Sequence, residues 1–309
     1  MISLKKNLEL RYLEARKIRG MLESDELKKR YYKLLIGYEG ENEVYIWLGE
    51  FGSWEWLIFY DLWFEMGNGT QADIIVVADT TWFLFEVKNY DGHFRYENGE
   101  SWLNNLRFKD NVMSRMDQRV RKLQYIADEL HMGIKVEGAM IFINEHCSVE
   151  IDQGFNFDIV MRNNLKQYLR DMKRAHPNRL GHQYLESVNN AIGKYRGESP
   201  FKPTPIGVEA FGELRKGIPC VACGDFNTVS RHKTVLCTKC GSSENKSAAI
   251  IRSAKQLRLL YFDQPEMVTR KNVYEFMGNM ISATTVKKTL SQHFQMKGSG
   301  SNHSYYIEL

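Results

Sequence analysis

Three charged residues stand where two apolar runs come together: Asp73, Glu86 and Lys88 in "QADIIVVADTTWFLFEVKN", Gln71 to Asn89. The polar turn at Asp79 and Thr80 predicts an antiparallel hairpin. Pairing about that turn sets Asp73 opposite Glu86, with Lys88 just beyond. Glu86 and Lys88 are two residues apart, so their side chains leave the same face of the strand. The runs "IIVV" and "WFLF" are apolar at consecutive positions, the pattern of strands covered on both faces. Charges at the end of such strands are costly unless they are paired or bind a metal. Two converging carboxylates offer hard oxygen ligands to Mg²⁺, or to Mn²⁺ in its place. A lysine alongside can orient or help deprotonate the attacking water and offset charge developing on a phosphate. The structural alternative is a Glu–Lys ion pair that caps the sheet, with Asp73 in a turn.

A second constellation lies far down the chain. In "CVACGDFNTVSRHKTVLCTKCG" the pairs Cys220/Cys223 and Cys237/Cys240 are separated by thirteen residues. Each CxxC makes a tight knuckle followed by a glycine. Four thiolates so arranged satisfy one tetrahedral Zn²⁺ and leave no open position, which predicts a structural site. The segment resembles a zinc ribbon, a module that binds nucleic acid or protein. His232 lies between the knuckles but is superfluous as a ligand. The fifth cysteine, Cys147, stands alone and reads as core or surface.

The elements that must position these groups follow from periodicity. Residues 4–35 predict a helix, and "GYEGENEVYIWLGEFG" a second one framed by glycines, with Val44, Trp47 and Leu48 on one face. "EWLIFYDLWF", the hairpin and "KVEGAMIFIN" read as strands. "DNVMSRMDQRVRKLQYIADELHMG" reads as a helix with the apolar stripe Met113, Met116, Val120, Leu123 and Ala127. "FDIVMRNNLKQYLRDMKRA" reads as a short strand leading into a helix. The pattern predicts an α/β domain over 37–175 after a helical leader at 1–36. Polar composition and three prolines within 200–205 predict a helical or linker segment at 176–210. The zinc ribbon then occupies 211–245 and a last helical unit 246–309.

"GYEGE", "TQADIIVV" and "FLFEVKNYDG" together resemble the NERD (nuclease-related) domain, a branch of the PD-(D/E)XK nuclease superfamily, over roughly residues 37–145. The resemblance implies a restriction-endonuclease-like mixed sheet flanked by helices. It also implies a site in which Asp73 and the Glu86-x-Lys88 triplet hold Mg²⁺ and cleave a phosphodiester bond. Glu41 matches an acidic residue of the first helix that assists the metal, with Glu39 and Glu43 as alternatives. Gln118 matches a downstream helical glutamine that positions water or substrate, against the alternative of an amide on a solvated helix. Its neighbours Arg115, Arg119, Arg121 and Lys122 could track a phosphate backbone.

In the tail, Thr269 can cap a helix through Met277, and Ser282 a second one to about Phe294. Two helices and a Gly/Ser-tipped hairpin resemble a winged helix, whose second helix enters the major groove. Thr284, Thr285, Lys287, Lys288 and Gln292 are its candidate contacts. A packing or dimerisation domain is the alternative. Residues 201–309 hold 15 Lys and Arg against 8 Asp and Glu, an excess of +7 in a chain of net +4, which points to a polyanionic partner.

The whole reads as a Mg²⁺-dependent nuclease acting on DNA, with the C-terminal modules positioning it. The alternatives are a DNA-binding or scaffolding protein with a disabled nuclease fold, and an RNA-processing role. Composition, 43% hydrophobic and 26% charged, suits a soluble globular protein. No apolar stretch reads as a signal peptide or membrane span, and the CxxC pairs suit a reducing cytoplasm.

Overall fold

The structure, a computed structural model, describes residues 4–66, 69–108, 111–298 and 303–309. The chain forms two compact units: one of residues up to Lys6 with Lys33–Pro200, the other of Asn7–Tyr32 with Phe201–Leu309. The first helices are α1 (Leu8–Ile18) and α2 (Asp25–Phe51). Their bounds differ from the expected pair. Asn7 caps α1, its side chain accepting from Leu10 N at 2.9 Å, and Gly20 at φ +77° ends it. Helix α2 then runs unbroken through Gly37 and Gly40. Glycine weakens a helix by about 1 kcal/mol each, and burial of Val44 and Leu48 offsets that cost.

In the first unit follow β1 (Leu57–Phe64), β2 (Thr70–Ala78), β3 (Thr81–Lys88), β4 (Gly92–Glu97), β5 (Glu100–Leu103), β6 (Leu106–Arg107) and α3 (Val112–Asp128). Then come β7 (Lys135–Phe142), β8 (Cys147–Ile151), β9 (Asp158–Met161), α4 (Arg162–Ala175), α5 (His182–Tyr195) and β10 (Arg196–Gly197). The main sheet has the order β10-β1-β2-β3-β7-β9. It is antiparallel through β3 and parallel from β3 to β9, so it is the mixed sheet expected of the α/β domain. The hairpin register runs from Ala78↔Thr81 to Ile74↔Phe85, and Asp79 takes φ +57° in its turn.

Alternate residues of β2 and β3 enter two separate cores. Ile75, Val77, Trp82 and Leu84 pack with Met113, Met116 and Leu123 of α3 and Val188 and Ile192 of α5. Ile74, Val76, Phe83 and Phe85 pack with Val44 and Leu48 of α2 and Leu165, Leu169 and Met172 of α4. Both faces are covered, which is why the two runs carry no polar alternation.

One feature departs from the sequence reading. A second sheet, β6-β5-β4-β8, interrupts the path between β3 and β9. The segment expected to be helix or linker is a helix in part: α5 buries Val188, Ala191 and Ile192, β10 pairs with β1, and Tyr184 accepts a 2.9 Å bond from Trp82 Nε1. Its apolar residues at i, i+3 and i+4 suffice to bind a polar helix to the sheet.

The second unit contains β11 (Thr228–Ser230), β12 (Thr234–Cys237) and β13 (Ser243–Asn245), then α6 (Lys246–Leu260), α7 (Arg270–Phe276), α8 (Ala283–His293), β14 (Gln295–Lys297) and β15 (Ser304–Tyr306). Asn245, Thr269 and Ser282 cap the three helices. The hairpin pairs Met296 with Tyr305, while its expected tip, 299–302, lies outside the described residues. Helix α1, expected within a helical leader at 1–36, belongs to this unit. Arg19, fully buried, donates to the carbonyls of Arg215 and Gly217 at 2.9 Å each and to Gln256 Oε1. Among the described residues no helix is long and apolar enough to cross a membrane.

Candidate active site

Strand β3 ends on Lys88, and the open end of the hairpin collects the charges. Asp73 and Glu86 are buried at 8% and 4% exposure. Asp73 Oδ2 accepts from the backbone N–H of Val87 at 2.9 Å, fixing one carboxylate against the other strand. Lys88 Nζ donates to Glu86 Oε1 at 2.5 Å. Glu86 Oε2 accepts from Arg119 Nη1 of α3. Both oxygens of Glu86 are therefore held by cations.

Glu41 comes from α2, and glycine sets its approach. A Cβ on Gly40 would lie 2.8 Å from Asn89 Cβ and 3.0 Å from Ile143 Cγ2, so only glycine lets the helix rest on the end of the sheet. Of the three glutamates there, Glu39 is exposed and Glu43 pairs with Arg162 at 2.5 Å. Glu41 alone is within strong electrostatic reach of the cluster. Burial, then the charges of Asp73, Asp61 and Glu86, push its carboxyl up to about 9 against the pull of Lys88.

The same balance decides the other groups. Burial and Glu86 raise Asp73 to about 7, although Lys88 and Arg119 oppose them. At Glu86 burial acts upward, but Lys88 and Arg119 outweigh it and hold the carboxyl below its usual range. Burial would lower Lys88, yet Glu86, Tyr90 and Asp73 together raise it. Three carboxylates share two cations, and two of the three resist ionising. Such a cluster is short of positive charge, and hard oxygen donors short of a cation suit a divalent metal.

The remaining candidates separate. Gln118 and Arg115 are exposed on α3, and neither meets Glu86; the neighbouring Arg119 does. Lys122 donates to the carbonyl of Met66 at 2.9 Å and to Thr70 Oγ1, so it ties α3 to the start of β2. Helix α3 lies close on β7 because a Cβ on Gly138 would lie 2.7 Å from Met116 Cε. On α8, Thr284, Lys287, Lys288 and Gln292 are exposed, while Thr285 Oγ1 lies 2.8 Å from Ser282 Oγ in the helix cap.

Two residues near the cluster were not singled out from sequence. Asp61 of β1 takes φ +48° and accepts from Gln71 Nε2 at 2.8 Å. A lone acid in the apolar run "LIFYDLWF" was the available signal. Tyr90 stacks on Phe94 and Phe108 at 5.8 and 5.5 Å and feels the charges of Lys88, Glu86 and Asp73. Nothing in its local pattern marked it.

The cysteines converge more tightly. Sγ–Sγ separations are 3.6 Å for Cys220/Cys240 and 3.7 Å for Cys223/Cys237, and all four sulfurs lie within 4.8 Å of one another. Tetrahedral thiolates about 2.3 Å from zinc have S···S edges of roughly 3.8 Å, so the four residues fit that metal. Gly224 and Gly241, at φ +71° and +76°, close the knuckles with N–H bonds of 3.0 Å to the carbonyls of Cys220 and Cys237. His232 is exposed, and Cys147 is buried in a core of the first unit. Among the described residues only these cysteines bring three or more ligand atoms so close. The oxygens of Asp73, Glu86 and Glu41 are not drawn together so tightly.

No curated protein and no solved structure matches the chain. A family model does match, described as the nuclease-related domain, NERD, over residues 36–143. That span contains Glu41, Asp73, Glu86, Lys88 and Arg119, and it shows that this part of the chain is a nuclease-related domain.

Proposed function

We propose that the protein is a metal-dependent nuclease that hydrolyses phosphodiester bonds in DNA. The observation that carries this reading is the buried cluster of Asp73, Glu86 and Lys88 at the open end of one hairpin, within the nuclease-related domain. Asp73, Glu86 and Glu41 would hold Mg²⁺ or Mn²⁺, which when bound supplies Lewis-acid polarisation of a phosphoryl oxygen and a more acidic water. Lys88, held on Glu86, would present a positive charge to the phosphate or help orient and deprotonate the attacking water. Asp73, held by the Val87 N–H, and Glu86, held by its cations, keep the carboxylates in place before substrate arrives.

DNA would be delivered by the second unit. It carries 22 Lys and Arg against 13 Asp and Glu, while the first unit carries 20 against 25. The succession α7, α8 and the β14–β15 hairpin supports reading the tail as a winged helix, with α8 in the major groove and Thr284, Lys287, Lys288 and Gln292 facing DNA. The four cysteines would hold one structural Zn²⁺. Such a ribbon is too small to bury a sufficient core unaided.

One observation favours a second reading, a DNA-binding protein with a disabled nuclease fold: Arg119 closes Glu86 Oε2. The deciding experiment incubates the zinc-loaded protein with linear, nicked, flap and single-stranded DNA, and with RNA, under Mg²⁺, Mn²⁺ or no divalent cation. Cleavage of DNA that needs the added cation is expected. Binding without cleavage under every condition would establish the second reading.

A further inference from the structure

The pairing that favours the second reading has a different role if Glu86 is a metal ligand, and the inference that follows rests on the nuclease reading. Glu86 has two oxygens; Lys88 holds one and Arg119 the other. Each oxygen keeps a second lone pair, but a cation bound there sits beside two like charges, so coordination by Glu86 is resisted until one of these partners moves away. Lys88 lies two residues on along β3 with its side chain on the same face, so its contact is built into the strand. Arg119 reaches across from α3 through a long side chain; exposure does not separate the two cations, 18% for Arg119 and 16% for Lys88, but their attachment does.

Helix α3 itself is fixed. Lys122 ties it to Met66 and Thr70, and Met113, Met116 and Leu123 sit in the core. Release of Arg119 is therefore a rotation of the side chain alone. A guanidinium is weakly hydrated and forks onto phosphate oxygens, so a displaced Arg119 stays useful at the same site. We propose that Arg119 is the internal counter-ion of Glu86 that a divalent cation displaces, and that it then serves as a phosphate ligand for the bound nucleic acid. Arg119 would thus be a positioning residue, competing with the metal before substrate binds and cooperating with it afterwards.

The test measures Mn²⁺ binding to the full, zinc-loaded chain, from the loss of the free-ion electron paramagnetic resonance signal, without nucleic acid. The parent is compared with Arg119→Met, with Arg119→Gln (a neutral donor that keeps a hydrogen bond to Glu86) and with Asp73→Asn to mark the site. Both Arg119 variants should bind Mn²⁺ more tightly than the parent, by about tenfold, the middle of the range for coupled neighbouring charges. They should also melt lower than the parent without Mn²⁺ and recover more on adding it. A purely structural arginine would give lower melting with no gain in affinity. Equal or weaker Mn²⁺ binding in the folded Arg119→Gln protein would overturn the inference and leave the nuclease reading standing. No Mn²⁺ binding to the parent that depends on Asp73 would overturn both.

Discussion

Gly40 of α2 faces Asn89, the residue after β3, so closely that an added methyl would sit 2.8 Å from Asn89 Cβ. Two effects then oppose one another in Gly40→Ala. Helix propensity favours alanine by about 1 kcal/mol, while a methyl forced into a packed contact costs about 1–3 kcal/mol. Asn89 Cβ is next to backbone and cannot swing aside, so the contact should win. The expected result is a small net loss of stability in urea unfolding, with a larger loss of divalent-metal affinity as Glu41 is pushed from the cluster. Unchanged affinity would remove Glu41 from the site.

The raised carboxyls predict a pH dependence of definite sign. In the fold Asp73 rises from 3.8 to about 7 and Glu41 from 4.5 to about 9, so between those limits the folded state binds more protons than the unfolded. Their contribution to stability is present at low pH and lost as pH rises through the folded values. Glu86, shifted downward, acts only at the acid end. Zinc-loaded protein without Mg²⁺ should therefore gain more from Asp73→Asn at pH 9 than at pH 5, in melting temperature relative to the parent. Saturating Mg²⁺ should abolish that gain. The same difference at both pH values would contradict the assigned environment of Asp73.

Arg19 binds an early segment into the second unit. Its guanidinium lies 3.6 Å from the Phe276 ring centroid and donates to the carbonyls of Arg215, Gly217 and Phe276. Burial, with Arg252 and Arg215 adding to it, lowers its pKa to about 9, which still leaves it charged at neutral pH. Arg19→Ala opens a cavity and strips several buried carbonyls of their donor. It should cost about 3 kcal/mol or more, measured as the loss of unfolding free energy in denaturant. A fragment of residues 201–309 without α1 should lack a cooperative transition, and a sharp transition in that fragment would refute the assignment.

Lys287 and Lys288 are both exposed on α8. If they meet phosphates, replacing both by alanine should weaken duplex DNA binding uniformly across sequences. The slope of log affinity against log salt should fall by about 2, roughly one unit per lost phosphate contact. Fluorescence anisotropy over a salt series would measure both, and an unchanged slope would place the DNA elsewhere.

The hairpin, its register and its charged end were legible from the chain because strand periodicity and turn chemistry are local. So were the capped helices of the tail and the cysteine knuckles. What sequence could not convey was pairing between distant segments. Residues 176–200 read as either helix or linker because only Val188, Ala191 and Ile192 of α5 are buried. The second sheet depends on β4 meeting β8 some fifty residues on. At the site, Arg115, Gln118, Arg119 and Lys122 share one helix and read alike. Only packing distinguishes the arginine that reaches Glu86, the lysine that reaches Met66 and the two exposed neighbours.

In the proposed function, the carboxylates at the end of the hairpin work a metal against a phosphodiester. The most direct measurement is single-turnover cleavage of labelled DNA under Mg²⁺ by the parent and by Glu86→Gln, purified identically and checked for equal folding. Glutamine keeps the shape but gives up the charge that binds the cation, and losing one positioned charge lowers such rates on the order of 10²–10⁴-fold. Cleavage by the parent and a fall of at least that size in the variant are expected. Equal rates from the two proteins, or no cleavage by the parent, would contradict it.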